Sequence, residues 1–279
     1  MKELKMNKIN NFEKIVKFVR KYLNLFRFWE ILNKVQVVII SIILYGIFIE
    51  LKAPEFYLYS LLFMYTFITY GYILNTYTDF EQDIIKKKHL FSKNKIGLFT
   101  IVFLVLNIIF YFLARNYAGS FSNYSFVLYI ISMFFITFYS LRPLRFKERG
   151  FIGVVIGSIM QRALPFLTLI FIYDIIIWSW LLFVTFILFV HGLLALTAHQ
   201  ILDYKNDIIS KTKTFVVKIG LKKTRKLFIC LTVLLYISLF LIPLIFGLKV
   251  FVSSLIIFLI LIPEIEWTML AYKELKNNA

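Results

Sequence analysis

The sequence has little that could stabilise a soluble domain or a disulfide framework. Its one cysteine, Cys230, cannot form an intramolecular disulfide. Glycine and proline contribute only 10 and 5 of 279 residues, so few turn-forming residues interrupt the apolar segments. Charged residues make up 17% and hydrophobic residues 61%, whereas soluble domains average about 25% charged and 45–50% apolar residues. This composition excludes a small disulfide-stabilised fold and an ordinary soluble domain.

Apolar segments of about 20 residues recur along almost the whole chain, which is the length that an α-helix needs to cross a bilayer. The pattern predicts an all-α, polytopic membrane bundle of about eight or nine transmembrane helices. The predicted spans are 35–51, 55–79, 96–114, 121–141, 150–173, 175–203, 224–247 and 249–271. We expect a single transmembrane domain over residues 35–279. A basic, amphipathic segment, residues 1–34, precedes it and is expected to lie in the membrane interface.

Acidic residues are scarce, with 15 Asp and Glu against 32 Lys and Arg, and the net charge is +17. In the eight-span topology, all but four of the basic residues lie on one side of the membrane. The exceptions are Lys52, Arg115 and Lys249 on the other side and Arg162 inside the fifth span. Because basic residues mark the cytoplasmic side, we expect a cell-membrane protein with both termini in the cytoplasm. The charge then needs no nucleic-acid partner.

Aspartate is rarer still, and its placement indicates a site. Four of the five aspartates form two pairs, Asp79 with Asp83 and Asp203 with Asp207, each spaced i, i+4. On a helix this spacing places both carboxylates on one face, about 6 Å apart along the axis. The pairs end the second and sixth predicted spans, and four crossings return the chain to the same side. We therefore expect both motifs at the cytoplasmic interface, facing a central cavity that opens there.

Two carboxylate pairs that converge would repel each other unless a cation joined them. Oxygen ligands suit Mg²⁺, which typically binds through one or two carboxylates together with substrate phosphates. A diphosphate is thus the natural ligand of such a site. The competing interpretation is that each pair is only a solvated helix end. That interpretation is much weaker for two pairs that share spacing, side and residue type.

At these residues the sequence resembles the UbiA superfamily of intramembrane prenyltransferases. The first motif matches the N-x-x-x-D-x-x-x-D pattern of that family with Asn75, Asp79 and Asp83, and the second matches D-x-x-x-D with Asp203 and Asp207. Residues 139–147, YSLRPLRFK, are similar to its Y-S-x-x-P-x-R-h-K segment. Residues 213–220, KTFVVKIG, are similar to its K-T-h-x-V-x-h-G segment. The matches follow the family order over most of the chain.

The resemblance implies a Mg²⁺-dependent enzyme that takes an isoprenyl diphosphate donor and transfers the prenyl group to a hydrophobic acceptor within the bilayer, releasing diphosphate. It implies that the four motif aspartates hold Mg²⁺ through the diphosphate. Further diphosphate-binding candidates are Asn75, Arg142, Arg145 and Lys147. Candidates for the cavity or the acceptor are Tyr139, Ser140, Arg162 and His199. Simpler explanations compete: interfacial charge or tyrosine for the residues near the interface, and structural polar pairs for Arg162 and His199.

Three functions stay open at this level. The first is prenyl transfer to a quinone precursor, another aromatic compound, a porphyrinoid, a lipid glycerol or a sugar phosphate. The second is an intramembrane terpene cyclase, in which the ionised prenyl chain attacks itself. The third is a membrane transporter or scaffold without catalysis. The sequence names neither the acceptor nor the length of the prenyl chain.

Overall fold

A computed structural model of the chain describes residues 54–85, 91–118, 122–172 and 177–246, together with positions 31, 35, 38, 39, 42, 269–273 and 275. Every regular element within these residues is helical, which confirms the predicted all-α class. Six helical segments of the described ranges are long and apolar enough to cross a membrane. They are Pro54–Thr78, Lys93–Tyr117, Asn123–Ser140, Phe151–Ile170, Trp178–Leu202 and Leu221–Leu241.

These six segments correspond to the predicted spans from 55–79 to 224–247. The predicted spans 35–51 and 249–271, and segment 1–34, fall largely outside the described residues, so a total of eight or nine spans stays a prediction. Among the described positions of that region, Ile31, Val35, Val38 and Ile42 are helical and buried. Their spacing is that of one face of a helix.

The first half of the described chain contains four α-helices. Helix α1 (Pro54–Thr78) is followed, after Asp79, by the short helix α2 (Phe80–Ile85). Helices α3 (Lys93–Tyr117) and α4 (Asn123–Ser140) come next. Helix α1 packs extensively along α3, and α4 contacts α1 as well.

The second half begins with a crossing built from three pieces. Helix α5 (Phe151–Ser158) leads through a π-helical turn (Ile159–Ala163) into α6 (Leu164–Ile170). Helix α7 (Trp178–Leu202) is followed, after Asp203, by the short helix α8 (Tyr204–Ile209). Helices α9 (Phe215–Ile219) and α10 (Leu221–Phe246) complete the described elements. Helix α7 packs against α5, the π-helical turn and α10, and α6 packs against α4.

The interior is largely apolar but contains polar side chains that are hydrogen-bonded inside the bundle, while many other large apolar side chains face outward. On α3, for example, Leu98 and Ile101 are exposed and Asn107 is fully buried. The Asn107 amide donates to the Phe63 carbonyl oxygen at 3.0 Å and accepts from the Tyr129 hydroxyl at 3.1 Å. Because lipid cannot hydrogen-bond to buried polar groups, such groups must be satisfied inside the bundle. Polar groups satisfied inside the bundle, beneath an apolar outer surface, are typical of a protein embedded in a bilayer.

Candidate active site

The two aspartate motifs occupy equivalent positions in the fold. The first aspartate of each follows a transmembrane helix of 25 residues, α1 or α7, and the second lies in the next helix, of 6 residues, α2 or α8. The helical backbone hydrogen bonds continue through both junctions. Asp83 N donates to Asp79 O at 2.8 Å, and Asp207 N donates to Asp203 O at the same distance. The two carboxylates of each motif therefore stay one helical turn apart, as their spacing predicts.

The first motif contacts the loop that follows α4. The Asn75 side-chain oxygen accepts hydrogen bonds from Ser140 Oγ at 2.9 Å and from Lys147 Nζ at 2.8 Å. Lys147 Nζ also donates to both carboxylate oxygens of Asp79. A terminal nitrogen of Arg145 donates to Asp79 Oδ1 at 2.9 Å. The structure thus brings together five residues that the sequence nominated, from two segments more than 60 positions apart.

A tight turn aims these cations at the motif. Residues Phe146–Glu148 form one turn of 3₁₀-helix, and Arg145, immediately before it, is left-handed with φ 37° and ψ 58°. A left-handed backbone is unfavourable for a residue other than glycine, by about 1–3 kcal/mol. Helix α5 packs directly on the turn at Gly153, where a Cβ atom would lie 2.3 Å from the Phe146 carbonyl oxygen. Gly153 therefore permits the close approach that supports the turn.

Charges within this cluster compensate one another. The side chains of Asp79, Arg145 and Lys147 are only 16%, 11% and 12% exposed. Burial lowers the pKa of the Lys147 ammonium from its ordinary value of 10.5, and the neighbouring Asp79 carboxylate opposes that shift. We expected repulsion between converging carboxylates to dominate the site in the absence of a metal ion. At Asp79, two cations already offset that repulsion.

The second motif is built differently. His199 Nε2 lies 3.5 Å from Asp203 Oδ2, and both side chains are about a third exposed. Asp207 is buried. The segment after the motif returns to α7, because the backbone N–H of Val216 donates to Gln200 Oε1 at 3.3 Å. Position His199 corresponds in its helix to Asn75 in α1, four residues before the first aspartate of its motif.

The other nominated residues occupy different surroundings. Arg142 is exposed, and it makes no hydrogen bond or ion pair within the part of the chain that the structure describes. Tyr139 is partly buried, and its ring lies near Gly157 of α5. Arg162 is 1% exposed and lies in the π-helical turn. Such turns often occur at functional sites, and neither the sequence pattern nor the spacing had predicted this one.

Two residues of this region were missed by the sequence analysis. Glu148 Oε1 accepts a hydrogen bond from Arg145 Nε at 2.6 Å. Lys218 Nζ donates to the Glu148 carbonyl oxygen at 2.8 Å, which ties α9 to the loop after α4. A usable signal did exist for Glu148, since it is the single acidic residue among the basic residues of 141–150.

The donor chemistry fits a hard divalent cation. The motifs offer carboxylate oxygens, the ligand type that Mg²⁺ prefers, and Asn75 adds an amide oxygen. Within the described ranges, no three His, Cys, Asp or Glu side chains come together as a ready-made metal site. Mg²⁺ is rarely held by a protein cage alone and commonly shares its coordination with substrate phosphates.

Fold and site together define a helical, multi-pass membrane protein with two aspartate motifs on equivalent helix junctions and a cationic loop paired to one of them. The family model for the UbiA prenyltransferase family matches residues 39–279. The chain therefore belongs to the UbiA prenyltransferase family. Comparison with curated protein sequences gave no match.

Solved structures share the fold. A UbiA homologue from Archaeoglobus fulgidus bound to GPP and Mg²⁺ aligns with a TM-score of 0.63 at 16% identity, over 92% of this chain and 98% of that chain. The same homologue bound to DMAPP and Mg²⁺ aligns with a TM-score of 0.61 at 16% identity, over 90% and 86%. A structure of digeranylgeranylglyceryl phosphate synthase aligns with a TM-score of 0.56 at 21% identity, over 92% and 93%.

Proposed function

We propose that the chain is a Mg²⁺-dependent prenyltransferase, which transfers an isoprenyl group from a prenyl diphosphate to a hydrophobic acceptor in the membrane and releases diphosphate. The observation that carries the proposal is the cluster in which Lys147 and Arg145 converge on Asp79 and Asn75 at one of two matching aspartate motifs. Family membership and the Archaeoglobus fulgidus structures with GPP or DMAPP and Mg²⁺ support it.

In this proposal the acidic residues bind Mg²⁺ and the basic residues bind the diphosphate directly. Asp79, Asp83, Asp203 and Asp207 would hold Mg²⁺ through the diphosphate. Bound Mg²⁺ supplies positive charge that stabilises the departing diphosphate. Arg145 and Lys147, in the loop after α4, would donate hydrogen bonds to phosphate oxygens. Their side chains are already oriented before the reaction, so the reaction itself need not order them. Asn75 would add its side-chain oxygen to the site that binds Mg²⁺ and diphosphate, and Ser140, whose Oγ donates to that oxygen at 2.9 Å, would orient it.

Tyr139, Arg162 and His199 are the candidates for lining the cavity or contacting the acceptor. Arg142, which is exposed, would contact the diphosphate from outside the cluster. Arg162 lies on the crossing Phe151–Ile170, well before the second motif in the chain, and it is almost completely buried. A buried charge within the bilayer is costly and commonly faces a cavity or a partner. We assign it to the wall of a central cavity that opens toward the aspartate motifs.

The test is product analysis by mass spectrometry of the purified chain in lipid nanodiscs. Prenyl diphosphates of several chain lengths would be combined with Mg²⁺ and a panel of aromatic and glycerol-phosphate acceptors. The second group is included because one structural neighbour is a digeranylgeranylglyceryl phosphate synthase. A prenylated acceptor with stoichiometric diphosphate supports transfer. A cyclic hydrocarbon or alcohol formed without acceptor would instead establish a cyclase. The absence of turnover of every donor would favour a transporter or scaffold.

We also propose that both aspartate motifs and both termini face the cytoplasm. The basic residues support this orientation through the positive-inside rule. A reporter inserted beside exposed Lys211 and a second one fused after Ala279 should both give cytoplasmic signals. A third reporter beside Tyr117, at the other end of α3, serves as the control and should report the opposite side. A non-cytoplasmic signal at Lys211 or at the C-terminus would refute the eight-span topology.

A further inference from the structure

Glu148 contacts Arg145, the same residue that contacts Asp79 of the first motif. Its Oε1 accepts a hydrogen bond from Arg145 Nε at 2.6 Å, and a terminal nitrogen of Arg145 donates to Asp79 Oδ1 at 2.9 Å. The guanidinium group therefore lies between two carboxylates, Glu148 from the loop and Asp79 from the junction that follows α1. We infer that Glu148 is a positioning residue, which aims Arg145 at the diphosphate of the donor. This inference rests on the proposed function.

The geometry explains why Arg145 needs a second partner. An arginine side chain has many rotamers, and its fork of donors helps binding only when it is correctly oriented. Glu148 engages Nε and leaves the terminal nitrogens directed toward Asp79. When a metal-bound diphosphate takes over the Asp79 carboxylate, Arg145 would lose that contact. The bond to Glu148 would then keep the terminal nitrogens at the site, where phosphate oxygens can accept from them.

Glu148 is itself anchored by α9, the helix that comes after the second motif in the chain. Its carbonyl oxygen accepts from Lys218 Nζ at 2.8 Å, and its backbone N–H donates to the Arg145 carbonyl oxygen at 3.1 Å. Lys218 belongs to α9, and α9 is joined to α7 by the bond between Val216 and Gln200. A continuous set of contacts thus links the segment after Asp203 to the cation that contacts Asp79. Through Glu148, the two aspartate motifs would be held in a fixed relation.

The direction in which diphosphate affinity changes when Glu148 is replaced distinguishes a positioning role from a purely electrostatic one. Glu148 is negatively charged, as a diphosphate is, so removal of its carboxylate should tighten diphosphate binding if charge alone mattered. If Glu148 acts by orienting Arg145, its removal should weaken binding. The two explanations therefore predict opposite changes of the dissociation constant.

The experiment measures the Kd of geranyl thiolodiphosphate, a donor analogue that ionises poorly, with Mg²⁺ and the full chain in nanodiscs. Glu148→Ala should raise the Kd about tenfold, the scale of one charge-assisted hydrogen bond. Glu148→Gln retains an acceptor for Arg145 Nε and should stay within about threefold of the wild type. Glu81→Ala is the matched control. It removes a carboxylate at the same end of the bundle that is 88% exposed and paired with Lys93 at 3.8 Å, and it should leave the Kd unchanged.

A double-mutant cycle with Arg145→Met tests whether Glu148 acts through Arg145. In the Arg145→Met background, Glu148→Ala should change the Kd by less than about twofold, because there is no longer a guanidinium to orient. A lowered Kd for Glu148→Ala, or an undiminished tenfold effect in the Arg145→Met background, would overturn the inference while the proposed function stands. A wild type that shows no Mg²⁺-dependent binding would overturn both.

Discussion

Replacing Asp79 with Asn, or Asp203 with Asn, is expected to lower turnover about 10²–10³-fold, the effect of losing one preorganised electrostatic contact to a developing charge. Each change removes one anionic ligand for the metal and nearly preserves the shape of the side chain. Each aspartate lies at the equivalent junction of a long and a short helix, so both variants should be slowed at the same step, the departure of diphosphate. The measurement is single-turnover release of diphosphate in nanodiscs.

The same two variants should differ in stability. Asp79 neutralises Arg145 and Lys147, whose side chains are 11% and 12% exposed. Asp79→Asn leaves Lys147 bonded to neutral side chains and Arg145 with Glu148 as its carboxylate partner. It should destabilise the chain by about 1–3 kcal/mol. Asp203 is 33% exposed and lies 3.5 Å from His199. Its replacement should cost about 0–1 kcal/mol, as for exposed pairs. Thermal unfolding in the absence of Mg²⁺ would show the difference.

The double variant completes this prediction. Residues that act as one unit give non-additive effects, so the double variant Asp79→Asn with Asp203→Asn should be little slower than either single variant. Glu81→Gln, which changes an 88% exposed carboxylate, is the control and should keep wild-type turnover. Two single variants at wild-type rates, or effects that multiply, would show that the motifs do not share one substrate.

Removal of divalent cations is expected to lower turnover by at least about 10²-fold. Without a bound cation, the carboxylates of the second motif would repel the departing diphosphate. Only Arg145 and Lys147 would then stabilise that group. Turnover would be followed in excess EDTA and again after Mg²⁺ is restored. Recovery of the original rate shows that the loss is reversible and specific to the cation.

Thermal unfolding with and without EDTA is the control for a structural metal. Because Arg145 and Lys147 contact Asp79 and compensate its charge, chelation should leave the melting temperature unchanged. A large fall of the melting temperature would mean that the cation holds the fold together and acts on turnover only indirectly. Full activity in excess EDTA would refute metal-assisted departure of the diphosphate.

The sequence by itself determined those features that depend on local spacing. The length of the apolar segments required helices, because a bilayer demands internal satisfaction of every backbone polar group. The i, i+4 spacing of Asp79 and Asp83 required carboxylates one turn apart, and the helical hydrogen bonds at the junctions agree. An even number of crossings between the motifs predicts that both lie on the same side of the membrane.

Only the tertiary structure decided which cations contact which carboxylate. Arg142, Arg145 and Lys147 are equivalent in the sequence, yet Arg145 and Lys147 contact Asp79, and Arg142 is exposed. That choice depends on the path of the chain through a left-handed residue and a 3₁₀ turn, which α5 can approach because position 153 is glycine. Glu148 acquires its partners for the same reason. A turn of this kind is set by contacts between distant helices, and no local periodicity specifies it.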